Sequence, residues 1–161
     1  MWGEHYALVS TWRVNAAAER VWQVLTDVES WPAWWPFVAA VEQVHPGQEN
    51  GLHSVWRYTW KTLLPYQLRF DLRITRVEAP SLVEAEVEGD VCGRSVCRIF
   101  PEDRFTTVRY EWRVRTCRPW MKWLAPVARP VFRWNHAQVM RRGETELARR
   151  LGVDLDGGSR P

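Results

Sequence analysis

Histidine is the side chain whose ordinary pKa lies nearest neutrality, and one of the four in this chain, His136, falls where an interior site would need it. At 100° per residue, the run from Pro130 to Leu151 puts Phe132, His136, Val139, Met140, Gly143, Leu147 and Leu151 on one face of a helix. Arg133, Arg141, Glu144, Glu146 and Arg149 fall at its edges or on the other side. An imidazole in an apolar stripe must find a hydrogen-bond partner or border a wet cavity, because an unpaired buried polar group costs roughly 1 to 3 kcal/mol. His136 therefore reads in two ways. It is a general acid/base or a donor to a ligand carbonyl or phenol, or it is a histidine bonded to a neighbouring tyrosine or backbone carbonyl.

Aromatic residues form the second set of candidates. Trp56, Tyr58 and Trp60 share one face of a strand, as do Tyr66, Leu68, Phe70, Leu72 and Ile74 on the next, and Val108, Tyr110, Trp112 and Val114 further along. From these, Trp56, Tyr58, Trp60, Phe70, Leu72, Tyr110 and Trp112 are the expected lining of a ligand cavity, joined by Phe132, His136 and Met140 from the helix. The same spacing also suits a sheet that simply packs its core. Bulk combined with polar tips favours a cavity, since indole N–H and phenol O–H groups facing one interior need partners.

Other chemistry is missing from the sequence. His5, His45, His53 and His136 are scattered and no C-x-x-C occurs, so no metal site is expected. G-x-S-x-G, Walker A and G-x-G-x-x-G are also absent, and no cofactor is expected.

The elements that must hold these residues are legible in order. His5 to Val14 alternates as a half-buried strand, with Tyr6, Leu8, Ser10, Trp12 and Val14 on the covered face. Asn15 is a candidate N-cap for a helix over Ala16 to Val28, whose inner residues are Val21, Trp22, Leu25 and Val28. Ser30 to Phe37, with two prolines and three tryptophans, suits a short broken helical turn. Phe37 to Thr116 then reads as six strands separated by turns at Gly47 to Gly51, Leu63 to Tyr66, Ala79 to Ser81, Gly89 to Asp90 and Pro101 to Arg104. Positions opposite the aromatic faces are mostly charged, so one face of the sheet is wet and the other covered. Between Arg118 and Pro130 three prolines argue against one continuous helix and allow a lid, with Trp120 to Ala125 forming a turn or two.

The chain suits a single domain over residues 1–152, followed by a frayed tail over 153–161. Its 12 tryptophans among 161 residues are several times the usual share, which suits cavity walls, interfaces and membrane surfaces better than a close-packed core. Trp31, Trp34, Trp35 and Phe37, with Trp120, Met121, Trp123 and Leu124, are expected to guard a cavity mouth, touch a membrane, or pack on one another. The net charge is +3 and the pI near 9.0. Eight basic residues against two acidic ones lie between Arg118 and Leu151, a solvated helix face or a contact for an anionic membrane. They follow no nucleic-acid motif, so no nucleic-acid partner is expected.

Cys92, Cys97 and Cys117 do not suggest a disulfide framework, since Cys92 and Cys97 point to opposite faces of one strand. An odd count, with no basic-then-apolar segment at the N-terminus, points to the cytoplasm. The longest uncharged run, Ser30 to Val41, is 12 residues, short of the roughly 20 a spanning helix needs.

The opening WRVNAAAERVWQVLTDVESWPAWWPFV (Trp12 to Val38) and the closing FRWNHAQVMRRGETELARRL (Phe132 to Leu151) carry a resemblance to the SRPBCC superfamily, the START-like lipid-transfer and pollen-allergen fold. Within it the chain resembles the bacterial polyketide cyclase/dehydrase proteins. The resemblance implies an α+β helix-grip fold: a curved seven-stranded antiparallel sheet wrapped around a long C-terminal helix, with two short helices after strand one. It also implies a cavity between sheet and C-terminal helix for a small hydrophobic ligand, aromatic, polyketide-like or lipid-like. A second expectation is a cyclase or dehydratase in which His136, with Tyr58 or Tyr110, promotes an aldol-type cyclisation of a poly-β-keto chain. A third is a membrane-surface adaptor using the tryptophan-rich loops and the basic C-terminal segment.

Overall fold

The computed structural model describes residues 5–62, 67–119, 123 and 125–153, the side chains of 125–129 excepted. Of the expected lid over Arg118 to Pro130, residues 120–122 and 124 lie outside the described residues. So do the turn at Leu63 to Tyr66 and the tail beyond Val153.

Alternation produces the sheet. Strand β1 (His5–Val14) buries Tyr6, Leu8, Trp12 and Val14, while the residues between them face water. Six further strands follow: β2 (Val38–His45), β3 (Val55–Lys61), β4 (Gln67–Glu78), β5 (Leu82–Gly89), β6 (Val91–Pro101) and β7 (Thr106–Thr116). All pair antiparallel in the order β1-β7-β6-β5-β4-β3-β2, so β1 leaves its neighbour in sequence and closes against β7. Register shifts in the β2–β3 and β4–β5 pairs mark bulges, which raise local twist and bend a sheet. The outer face carries cross-strand ion pairs, Arg57 with Asp71 and Arg73 with Glu86 among them. Exposed pairs of this kind set register more than stability.

Helix α1 (Ala18–Thr26) turns Ala18, Val21 and Leu25 inward. It starts two residues later than the sequence suggests, with Ala17 at the N-cap and no side-chain cap bond, so Asn15 does not cap it. A 3-10 turn over Val28–Ser30 leads into the single helical turn α2 (Trp31–Trp34), as the two prolines require. The C-terminal helix α3 (Ala125–Leu151) packs on β1, α1 and α2. It contradicts the expectation that prolines would break the segment, since Pro130 lies within it. Pro126 sits in the first turn, where the N–H has no intrahelical partner anyway, and Pro130 forgoes one bond. At the other end, Arg20 of α1 donates to the Leu151 carbonyl at 2.9 Å, satisfying one of the open C-terminal acceptors.

Gly143 sets how closely α3 can approach. A Cβ at this position would lie 2.5 Å from the Trp35 ring, so only glycine lets the helix rest on that indole. Trp35 in turn donates from Nε1 to the Val139 carbonyl at 3.0 Å. The tryptophans of α2 are consequently core. Trp31, Trp34 and Trp35 are all buried, Trp35 to 1% exposure, and their rings pack in contact with one another. Of the alternatives for this cluster, packing on one another is what the structure shows for these three rings. Glu146, placed by the helical wheel away from the stripe, is also buried, held by Arg142 and Arg149.

Cys92 and Cys117 form a disulfide, with Cα atoms 6.1 Å apart, and Cys97 is left free. The bridge ties β6 to the residue following β7, a pair the strand spacing does not reveal because Cys117 lies beyond the last paired position. It also removes the argument from an odd cysteine count for a reducing compartment, where such bridges are rare. Asp90 reinforces this corner: its carboxylate accepts the Arg69 amide at 2.8 Å and meets the Arg118 guanidinium. Among the described residues no helix is long and apolar enough to cross a membrane.

Candidate functional site

The sheet's covered face supports two chambers rather than one. The larger, about 550 Å³, lies between the sheet, α1, the start of α2 and the β2–β3 connection. Its size falls in the range of small-molecule pockets. The smaller, about 60 Å³, lies beneath α3 and is lined almost wholly by apolar groups, with room for water or a short alkyl group.

The ten residues expected to form one site divide between these chambers. Trp56, Tyr58, Leu72 and Tyr110 line the larger. Phe132, His136 and Met140 line the smaller. Trp60, Phe70 and Trp112 border both and form the partition. Their spacing explains the wall: Trp60 pairs with Leu68 and Tyr58 with Phe70 across β3 and β4, stacking aromatics side by side. The Tyr58 and Phe70 rings lie 5.7 Å apart and nearly parallel. Phe70 meets Trp112 edge-on at 5.6 Å, and Trp60 meets Trp35 at 4.8 Å.

The larger cavity therefore does not lie under the C-terminal helix as expected. Gly143 and Trp35 draw α3 too close to the sheet for a ligand-sized space, and the shorter α1 with the looped β2–β3 connection leaves one on the other side. This arrangement also separates the expected acid/base pair. His136 borders the small chamber, and Tyr58 and Tyr110 border the large one. His136 Nε2 is buried with no hydrogen-bond partner among the described residues, so the tyrosine bond that the sequence offered is not made at this nitrogen. Burial without a compensating charge lowers its pKa to about 4, which keeps it neutral at physiological pH.

The large cavity has a polar end and a polar floor. At the mouth, β2 supplies Gln43, and the β2–β3 connection supplies Gln48, Glu49, Asn50 and Ser54. Ser54 Oγ accepts the Trp56 indole N–H at 3.1 Å and fixes that ring. On the floor stand Tyr58, Tyr110, Ser95 and Cys97. Tyr110 and Cys97 face each other across β6 and β7 and share a hydrogen bond. Burial raises both tyrosine hydroxyls above their ordinary range, and it pushes the Cys97 thiol up to about 12 despite that bond. All three thus remain protonated hydrogen-bonding groups near neutral pH. No lysine, arginine or histidine lines this cavity among the described residues, and its single charged group is Glu49 on the loop.

Sequence reasoning missed Ser95, Cys97, Ile99 and the whole β2–β3 rim. Ser95, Cys97 and Ile99 do alternate with Arg94, Val96 and Arg98 on β6, but the valine among the arginines and the small side chains made that face look unremarkable. Nothing in the rim's composition distinguishes it from an ordinary polar turn. Among the described residues no group of three or more His, Cys, Asp and Glu side chains is placed to hold a metal ion.

Residues 7–152 match the family model described as polyketide cyclase / dehydrase and lipid transport. No curated protein sequence matches this one significantly. Among solved structures, a START superfamily protein from Mycobacterium smegmatis superposes with a TM-score of 0.73 at 17% identity, covering 92% of this chain and 98% of its own. The Zhui aromatase/cyclase from Streptomyces sp. R1128 gives 0.72 at 16% identity, covering 92% and 94%. A protein from Thermus thermophilus gives 0.68 at 16% identity, covering 88% and 97%. At these identities the likeness is one of fold, the helix grip.

Proposed function

The chain belongs to the polyketide cyclase/dehydrase and lipid transport family, and on that footing we propose that it binds a small, neutral, hydrophobic molecule in the larger cavity and carries it. The observation that bears most weight is the lining of that cavity. A space of about 550 Å³ is walled by Trp22, Trp31, Trp56, Trp60, Phe70 and Trp112, with neutral hydroxyls at its floor. Flat or chain-like apolar molecules gain contact on such walls, and a few fixed polar groups orient one end of the ligand. The missing cations argue against a carboxylate or phosphate held inside, because a buried anion without a counter-charge is strongly disfavoured. Two buried indole N–H groups on the wall, Trp31 and Trp60, have no acceptor among the described residues, so a ligand oxygen brought there would gain a donor.

The acid/base reading of His136 has less support. Proton transfer needs the base within hydrogen-bond reach of the reacting group, and the Trp60, Phe70 and Trp112 partition stands between His136 and the larger cavity.

Native mass spectrometry of freshly purified protein, followed by denaturation and identification of any released molecule, tests the proposal. A stoichiometric neutral, apolar passenger is the expected result. A chain that emerges empty, and whose tryptophan fluorescence responds to none of a panel of neutral aromatic, polyketide and lipid probes, would sink it.

A further inference from the structure

While α2 hides its tryptophans, α3 and its approach display theirs. Trp123, just ahead of the helix, is 88% exposed, and Trp134, near the end of its third turn, is 53% exposed. At 100° per residue, Pro130, Arg133, Trp134, Ala137 and Arg141 occupy one sector of α3, and all five are exposed. The opposite sector, with Asn135, Val139, Met140, Gly143 and Leu147, is buried. The core therefore has no use for an indole at 134.

From Pro130 to Arg141 the charges on this sector are of one sign; at its C-terminal end stands Glu144, half-buried, whose carboxylate accepts the Arg13 amide N–H at 3.2 Å. Arg142 and Arg149 are both engaged by Glu146, and Arg118 by Asp90. Arg133 and Arg141 make no close ion pair among the described residues, although Arg141 is near enough to Glu144 to favour its charged form. From Ala125 to Gly143 the sequence contains no Asp or Glu at all.

We propose that this face of α3 docks on an anionic lipid bilayer. Indoles settle at the headgroup level, where one side of the ring is apolar and the N–H is wet, and arginines beside them meet lipid phosphates. A positive face over Arg133 to Arg141, beside exposed tryptophan, is complementary to that surface in both respects. The inner side of the same turns, at Phe132, Asn135 and His136, roofs the small chamber, whose rim includes Lys61 and Thr62. Docking thus sets the roof of a chamber that shares a wall with the ligand cavity against the lipid.

The test is flotation of the full chain with vesicles of phosphatidylcholine alone and of phosphatidylcholine mixed with phosphatidylglycerol, at low and high salt. Binding is expected to the mixed vesicles only, and to weaken as salt rises. Arg133→Glu/Arg141→Glu should weaken it at least about tenfold, and Trp123→Ala/Trp134→Ala at least about fivefold, with melting curves unchanged because these side chains are exposed. Absence of binding to the mixed vesicles at low salt would overturn the proposal. So would equal binding by the arginine variant, or capture by polyglutamate beads without vesicle binding, which would give the face to an acidic protein.

Discussion

The two chambers share a wall and differ in nearly everything else. The larger is ligand-sized, rimmed by amides and a carboxylate, and floored by hydroxyls that stay protonated. The smaller is nearly dry, and its histidine is held neutral by burial. The difference teaches that the element most suggestive of chemistry in the sequence, a helix with a histidine in its apolar stripe, is a roof and a clamp. The ligand-sized space lies on the other side of Trp60, Phe70 and Trp112, where a short helix and an irregular connection fail to fill the sheet's covered face.

The largest effect should come from removing the indole on which α3 rests. Trp35→Ala deletes a fully buried indole, its bond to Val139 and its seat under Gly143. A loss of about 3 to 5 kcal/mol is expected by urea denaturation. A loss below about 1 kcal/mol would mean that α3 does not depend on this contact.

Next is the histidine. Its folded pKa of about 4 lies below the ordinary 6.5, so between those values the unfolded chain binds the extra proton. Stability conferred by neutral His136 is complete above about pH 6.5 and falls as pH drops towards 4, by up to about 3 kcal/mol. His136→Leu should flatten that slope relative to the parent while leaving ligand affinity within about twofold. A tenfold change in affinity or turnover with an unaltered slope would place His136 in the binding chamber after all.

Trp112→Ala opens the partition itself. Passenger affinity should fall by at least about tenfold, or about 1.4 kcal/mol, measured by displacement of the bound molecule; unchanged affinity would show that the two spaces act independently. The smallest effect concerns Cys97. With a thiol raised to about 12, it should label very slowly with iodoacetamide near neutral pH, and passenger removal should speed it only slightly. The unreduced, denatured chain should yield one reactive thiol, and the reduced chain three.

Much of the fold was readable without coordinates because period two and period 3.6 are local. β1 runs from His5 to Val14 as its alternation indicates, and the described turns fall where glycine, proline and aspartate cluster. The Trp12 to Val38 and Phe132 to Leu151 segments pointed to the family that the residue 7–152 match confirms. Legibility ended where a property depended on another segment. Pro130 looked like a breaker because the packing that holds α3 together is contributed by β1, α1 and α2. Cys92 and Cys117 looked unrelated because their approach depends on how β6 and β7 end.

The sequence by itself determined the order of elements, the covered and wet faces of the sheet, and the aromatic wealth of the interior, because each follows from the residue type at a fixed spacing. Tertiary structure alone decided which aromatics became core, which became a cavity wall and which stayed in water. Trp35, Trp60 and Trp134 are the same side chain with three different fates. A glycine on α3, the short reach of α1 and the free outer face of the last helix separate them, and volume left between packed elements is not a property of any one segment.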